Sequence, residues 1–279
     1  MKIHSVSLLV VLIAASGLFF SCGNIMNQNY GGLETDSIRL DETTHLFADT
    51  AKPSCHLTVN LAYISQADRP GLKDSLNRYI LETTLGQAYA ELQPQQAVES
   101  YAARYAADYR KDLEPSYRQE ADRGDSEIGA WYSYYMHITG RVACYEQNLL
   151  VYQYKYEEYT GGAHGMYSTS FLNLDLRTLT PIRLSNLFVA DAGEALTDLL
   201  WNQLMADNRV ATREELEELG YTSTGDLTPT ENFHLSKYGI SFYYNVYEIA
   251  PYVMGPVQIT LPWEMVRHLL NPDAELPLN

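Results

Sequence analysis

Cysteine is scarce: Cys22, Cys55 and Cys144 are the only three in 279 residues. No Cys-x-x-Cys and no His-Glu-x-x-His occurs, and the seven histidines (His4, His45, His56, His137, His164, His234 and His268) form no i, i+4 pair. The usual zinc and dithiol redox motifs are therefore missing, and no metal or cofactor is expected. The glycines form neither a phosphate-cradling loop with its Lys nor a Gly-x-Ser-x-Gly elbow. Positive charge is scarce too: 19 Lys and Arg stand against 35 Asp and Glu, a formal charge of −16. Such a surface repels phosphate backbones, which argues against nucleic acid as a partner. Beyond residue 20 no apolar run is long enough to span a bilayer, and there is no internal repeat or low-complexity block.

What is present starts with a secretory pattern. Lys2 precedes an apolar stretch from Val6 to Phe20, too short to cross a membrane, and Phe19-Phe20-Ser21 leads into Cys22. A small residue directly before a Cys at the end of such a stretch is the pattern of a bacterial lipoprotein, so residues 1–21 are expected to be cleaved and Cys22 lipidated. The membrane is then a partner through the anchor, since each buried methylene contributes about 0.8 kcal/mol. Loss of residues 1–21 removes one Lys and no acid, taking the charge to −17. The acidic surface could attract a cationic partner or simply keep the protein soluble; Glu214-Glu215-Leu216-Glu217-Glu218 reads most simply as the wet face of a short helix. Cys55 and Cys144 remain as an even pair in an oxidising compartment. A bridge would close a loop of about ninety residues and stabilise by about 3–5 kcal/mol; two free thiols are the alternative, because pairing depends on geometry.

Residues 22–36 have the composition of a flexible tether. Ser37–Leu46 and Cys55–Ile64 read as strands, the second with Leu57, Val59, Leu61 and Tyr63 alternating with polar residues. Leu72, Leu76, Ile80 and Leu85 recur at helical spacing. A second helix follows, with Val98, Tyr101, Tyr105, Tyr109 and Leu113 in a stripe, and Pro115 should end or kink it. That tyrosine stripe could face carbohydrate, but core packing explains it more simply. From Trp131 the period becomes two, through a strand near Tyr132–Ile138, a long one with Leu150, Tyr152, Tyr154 and Tyr156 on one face, and a third at Phe171–Leu176. Ala192–Asp207 and Thr212–Leu219 are helical, and Gly220 follows the second. Phe233–Leu235, Ile240–Tyr244 and Val257–Leu261 are short strands before a last helix, Trp263–Leu270. The order implies an α+β fold of two packed lobes of antiparallel sheet with helices, residues 37–150 and 151–279.

Two segments stand out chemically. In Gly161-Gly162-Ala163-His164-Gly165 three glycines permit backbone shapes closed to other residues, and His164 could bind, catalyse, or lock the loop by bonding to backbone. In Tyr247-Glu248-Ile249-Ala250-Pro251-Tyr252, Glu248 sits among apolar residues; if buried it must be hydrogen-bonded or paired, and capping of backbone fits it better than catalysis.

These segments, from Tyr159-Thr160-Gly161-Gly162-Ala163-His164-Gly165 to Tyr247-Glu248-Ile249-Ala250-Pro251-Tyr252, enclose Asn173-Leu174-Asp175-Leu176 and Leu184-Ser185-Asn186-Leu187-Phe188. Together they resemble the extracytoplasmic domain shared by the anti-sigma factor RsiV and the N-terminal part of the peptidoglycan deacetylase PdaC, a domain that also stands alone in lipoproteins of Bacteroides-type bacteria. The likeness runs from about Ser37 to Asn271. It implies a binding module at the cell envelope, periplasm-facing or surface-exposed, and two ligand classes. One is peptidoglycan or a related glycan, met by Gly161, Gly162, His164, Tyr167, Tyr247, Glu248 and Tyr252; the other is a basic protein such as lysozyme. Two further possibilities stay open: a hydrolytic or glycan-modifying enzyme using His164 and Glu248, and a structural role in an envelope complex.

Overall fold

Strand alternation in the N-terminal half and a cluster of asparagines in the C-terminal half build two sheets and join them. The computed structural model describes residues 28–123, 130–273 and 276–278; the expected signal segment and Cys22 lie outside them. Strand β1 (Leu33–His45) pairs antiparallel with β2 (Ser54–Ala67), and β2 pairs parallel with β3 (Tyr134–Glu146). A parallel pair needs a long crossover. Helices α1 (Leu72–Leu85) and α2 (Pro94–Asp122) supply it. Strands β4 (Leu149–Tyr159), β5 (Met166–Asp175) and β6 (Thr180–Pro181) continue antiparallel, so a mixed six-stranded sheet runs β1-β2-β3-β4-β5-β6. After it come the short α3 (Leu184–Leu187), α4 (Gly193–Asn208) and α5 (Arg213–Glu218). The chain closes with an antiparallel sheet of β7 (Phe233–Ser236), β8 (Gly239–Tyr244) and β9 (Val257–Pro262), then α6 (Trp263–Val266).

The fold is α+β, with one parallel pair among otherwise antiparallel strands. Strands on both sides of residue 150 belong to one sheet; the change of sheet comes after Pro181, not at the expected lobe boundary. The hairpins explain this: β3 turns straight into β4 at Gln147, and β4 then pairs with β5 from Leu149 to Glu158, so one sheet carries across residue 150. Ordered pairing also starts earlier than the composition of residues 22–36 suggests: Leu33–Asp36 lie in β1, and Leu33 is fully buried with Ile64, Leu72 and Leu76.

Helix α2 lies on the sheet because Ala97, Val98 and Ala102 let it approach Leu57, Val59, Leu61 and Ile138. Its tyrosines pack inward, with Tyr109 and Tyr117 buried and Tyr109 Oη donating to Tyr132 O at 2.7 Å. The helix does not stop at Pro115. Proline removes one hydrogen bond and costs about 3 kcal/mol inside a helix. Here it sits on the exposed side, and burial of Tyr117 against Phe47 and Tyr132 holds the last turns down.

Cys55 and Cys144 are both free, which corrects the possible bridge between them. Register supplies the reason: Cys55 stands beside Tyr134 at the start of β3, whereas Cys144 lies near its end, so at ~3.3 Å per residue the two are about 30 Å apart along the sheet. Burial pushes the Cys55 thiol up to about 11.

Three asparagine side chains join the sheets by imitating strand pairing. Asn173 Nδ2 donates to Phe233 O at 2.7 Å while its Oδ1 accepts from Leu235 N at 2.9 Å. Asn232 Nδ2 donates to Thr169 O at 2.9 Å, and Asn245 Oδ1 accepts from Thr169 N at 2.7 Å. Around them Leu149 and Val151 of β4 join Phe233, Phe242, Ile259 and Leu200 in one core.

Near this junction Asp175 is buried to 9% exposure. Burial pushes its carboxyl up, but hydrogen bonds from the Arg177 guanidinium and backbone N–H outweigh that, so its pKa falls below the ordinary carboxylate range. A depressed carboxyl stabilises the fold above its unfolded pKa, near 4, and that contribution is lost as pH falls through the folded value. Asp175→Asn is therefore expected to lower stability by about 1–3 kcal/mol at pH 7, with the gap to wild type closing below about pH 4 in urea titrations.

Candidate functional site

The hairpin between β4 and β5 carries the glycine loop, and its shape follows from two close approaches. Gly161 has φ +78°, and a Cβ there would stand 2.4 Å from Trp131 O. Gly165 lies under Tyr135, where a Cβ would stand 2.5 Å from Tyr135 Oη. Only glycine satisfies both the left-handed backbone and the contact at Gly161. Tyr159 Oη then donates to Gly162 O at 2.9 Å and closes the loop from within.

The loop after β8 approaches from the other side. Tyr247 takes φ +68°, its N–H donates to Ala250 O at 3.0 Å, and Glu248 Oε2 accepts the Asn245 N–H at 2.8 Å. Asn245 is the residue whose Oδ1 holds β5, so the second sheet fixes this loop against the first hairpin.

The outcome is a cluster of four rings. The His164 ring lies 4.5 Å from that of Tyr252 and 6.4 Å from that of Tyr247; Tyr252 lies 5.6 Å from both Tyr247 and Tyr167. His164 Nδ1 is 2.9 Å from Gly165 O, which can only accept, so this nitrogen carries the proton. Gly165 O also accepts from Tyr252 Oη at 3.2 Å, and His164 Nε2 meets Tyr247 Oη at a long 3.4 Å. His164 and Tyr247 are exposed, and Tyr167 and Tyr252 are half-buried.

The structure thus brings His164, Tyr167, Tyr247 and Tyr252 together on a frame set by Gly161 and Gly162. Glu248 does not join them chemically: it is exposed, its carboxylate caps its own loop, and among the described residues it makes no hydrogen bond or ion pair with His164. The described residues also hold no group of three or more His, Cys, Asp or Glu placed to bind a metal ion. Of the large apolar residues left exposed, Trp131, Met166, Tyr247 and Val253 all border this cluster in sequence or contact. Two contributors escape sequence reasoning. Asn245 carries no periodic signal, and Tyr135 is one alternating residue among many until Gly165 is seen beneath it.

Comparison with known proteins gives a consistent result. Residues 185–264 match the family model described as a protein of unknown function (DUF3298), and residues 49–167 match that described as deacetylase PdaC. A solved member of the DUF3298 family from Bacteroides fragilis is 55% identical, with 88% of this chain and 96% of that one covered at a TM-score of 0.84. A DUF3298 family protein from Pseudomonas aeruginosa shares the fold at 17% identity and a TM-score of 0.59, over 86% of this chain and 95% of that one. No curated protein matches.

Proposed function

The chain belongs to the DUF3298 family, and from that premise we propose that it is a non-catalytic glycan-binding module of the cell envelope, tethered by lipid on Cys22. The observation that carries this reading is the ring cluster. His164, Tyr247, Tyr252 and Tyr167 offer rigid aromatic surface at small entropic cost, while His164 Nδ1 and Tyr252 Oη are committed to Gly165 O and His164 Nε2 has only the long contact to Tyr247 Oη. A catalytic pair would need a base within hydrogen-bond reach of a nucleophile or acid. Glu248 is spent on Asn245 N–H instead. Among the described residues no helix is long and apolar enough to cross a membrane, so in this reading the anchor is the lipid.

A second reading, docking of a basic protein such as lysozyme, draws on the charge of −16 and on the exposed Trp131, Tyr247 and Val253 at the rim. One experiment separates them. A soluble fragment beginning at Gln28, which keeps β1 whole, is incubated with insoluble peptidoglycan and, separately, with immobilised lysozymes. Glycan retention that is lost in His164→Ala supports the first reading; retention on lysozyme alone replaces it with the second.

A further inference from the structure

The second sheet covers only part of the first. It packs on β5, where Phe171 meets His234 and Tyr243, and it leaves the helix-free face of β1, β2 and β3 open. Register arranges that face in cross-strand rows. Nearest the glycine loop is an aromatic row, His56-Tyr135-Tyr159, in which Tyr135 stacks on Tyr159 at 5.9 Å. Next comes Asp41-Thr58-His137-Glu157, and then Arg39-Asn60-Thr139-Lys155. Arg141 lies one step further along β3, its Nε donating to Gln153 Oε1 at 2.9 Å.

Charge on this face runs against the rest of the molecule. The whole chain has nearly two acids for each base, yet among the described residues of these rows Arg39, Arg141 and Lys155 stand with two acids, Asp41 and Glu157, and Asp41 is held by His56 at 2.8 Å. None of the three cations forms an ion pair among the described residues. Rows two residues apart are separated by about 7 Å, so the basic row lies about 13 Å from the aromatic one, and Arg39 is about 14 Å from Lys155 across three strand spacings.

Resting on the glycan reading above, we infer that this open face is a second subsite that takes the carboxylates of an anionic glycan whose sugar rings lie at the aromatic row and ring cluster. The local charge favours such a ligand over a basic protein here, because like charges set face to face suppress binding.

The test is calorimetric titration of the Gln28 fragment with two probes: a neutral N-acetylglucosamine tetrasaccharide, and a soluble peptidoglycan disaccharide bearing a peptide with free carboxylates. The carboxylated probe should bind about tenfold more tightly at low salt, with the preference shrinking as salt is added. Arg39→Ala with Lys155→Ala should abolish that preference without altering affinity for the neutral probe, and Arg39→Glu with Lys155→Glu should reverse it. Both side chains are exposed, so thermal midpoints should stay near wild type. Equal affinity for the two probes, or a preference that survives the double substitution, overturns the subsite and leaves the glycan reading standing. Binding of neither probe overturns both.

Discussion

Tyr252→Ala is expected to weaken retention of the soluble fragment on peptidoglycan by about thirtyfold, the effect of losing a central aromatic contact worth about 2 kcal/mol. Tyr252 is the hub of the cluster: its ring touches those of His164, Tyr247 and Tyr167, and its hydroxyl holds Gly165 O. Alanine removes both the surface and the tie. Tyr252→Phe separates the two contributions, since it keeps the ring and loses only the bond to Gly165 O; it should retain most of the affinity, costing about 1 kcal/mol or less. Sedimentation binding curves for the three proteins, with circular dichroism to show that each is folded, decide the matter. Equal losses in the two variants would move the effect from ring contact to loop geometry.

Gly140→Ala should have the largest effect on stability. A methyl group there would stand 2.3 Å from Tyr152 Oη and 2.8 Å from Leu61 Cδ2. Neither neighbour can retreat: Tyr152 is fully buried with its hydroxyl donating to Ala62 O at 2.7 Å, and Leu61 is packed under α2. Overpacking of this kind costs about 3 kcal/mol, a fall of about 6–12 °C in thermal midpoint for a chain of this class. Tyr152→Phe in the same chain removes the clashing oxygen. The double variant should therefore be less destabilised than the sum of the single ones, by about 1–2 kcal/mol. Strict additivity would mean that the glycine serves something other than the tyrosine hydroxyl.

Both effects depend on features that differ in how far the sequence displays them. Alternation in Leu57-Val59-Leu61 and in Leu150-Tyr152-Tyr154-Tyr156 is local, so β2 and β4 are legible with their faces assigned, as are α1 from Leu72, Leu76, Ile80 and Leu85 and the three closing strands. The parallel pairing of β2 with β3 is not legible, because it is set by how two helices pack across a long connection. Proline at position 115 suggests a break that burial of Tyr117 overrides. The glycine loop and the Tyr247–Tyr252 segment stand out in sequence, yet their meeting is decided by Asn173, Asn232 and Asn245, whose amides could equally have faced water. The basic row needs cross-strand register before Arg39 and Lys155 can be placed on one line.

The central claim is that the His164 cluster holds a glycan without altering it. Its most direct test is mass spectrometry of the peptidoglycan recovered from the Gln28 fragment after prolonged incubation, alongside the His164→Ala protein. Glycan retained by wild type, released by the variant and chemically unchanged in both is the predicted result. Cleaved or deacetylated sugars with wild type, absent with His164→Ala, would contradict it.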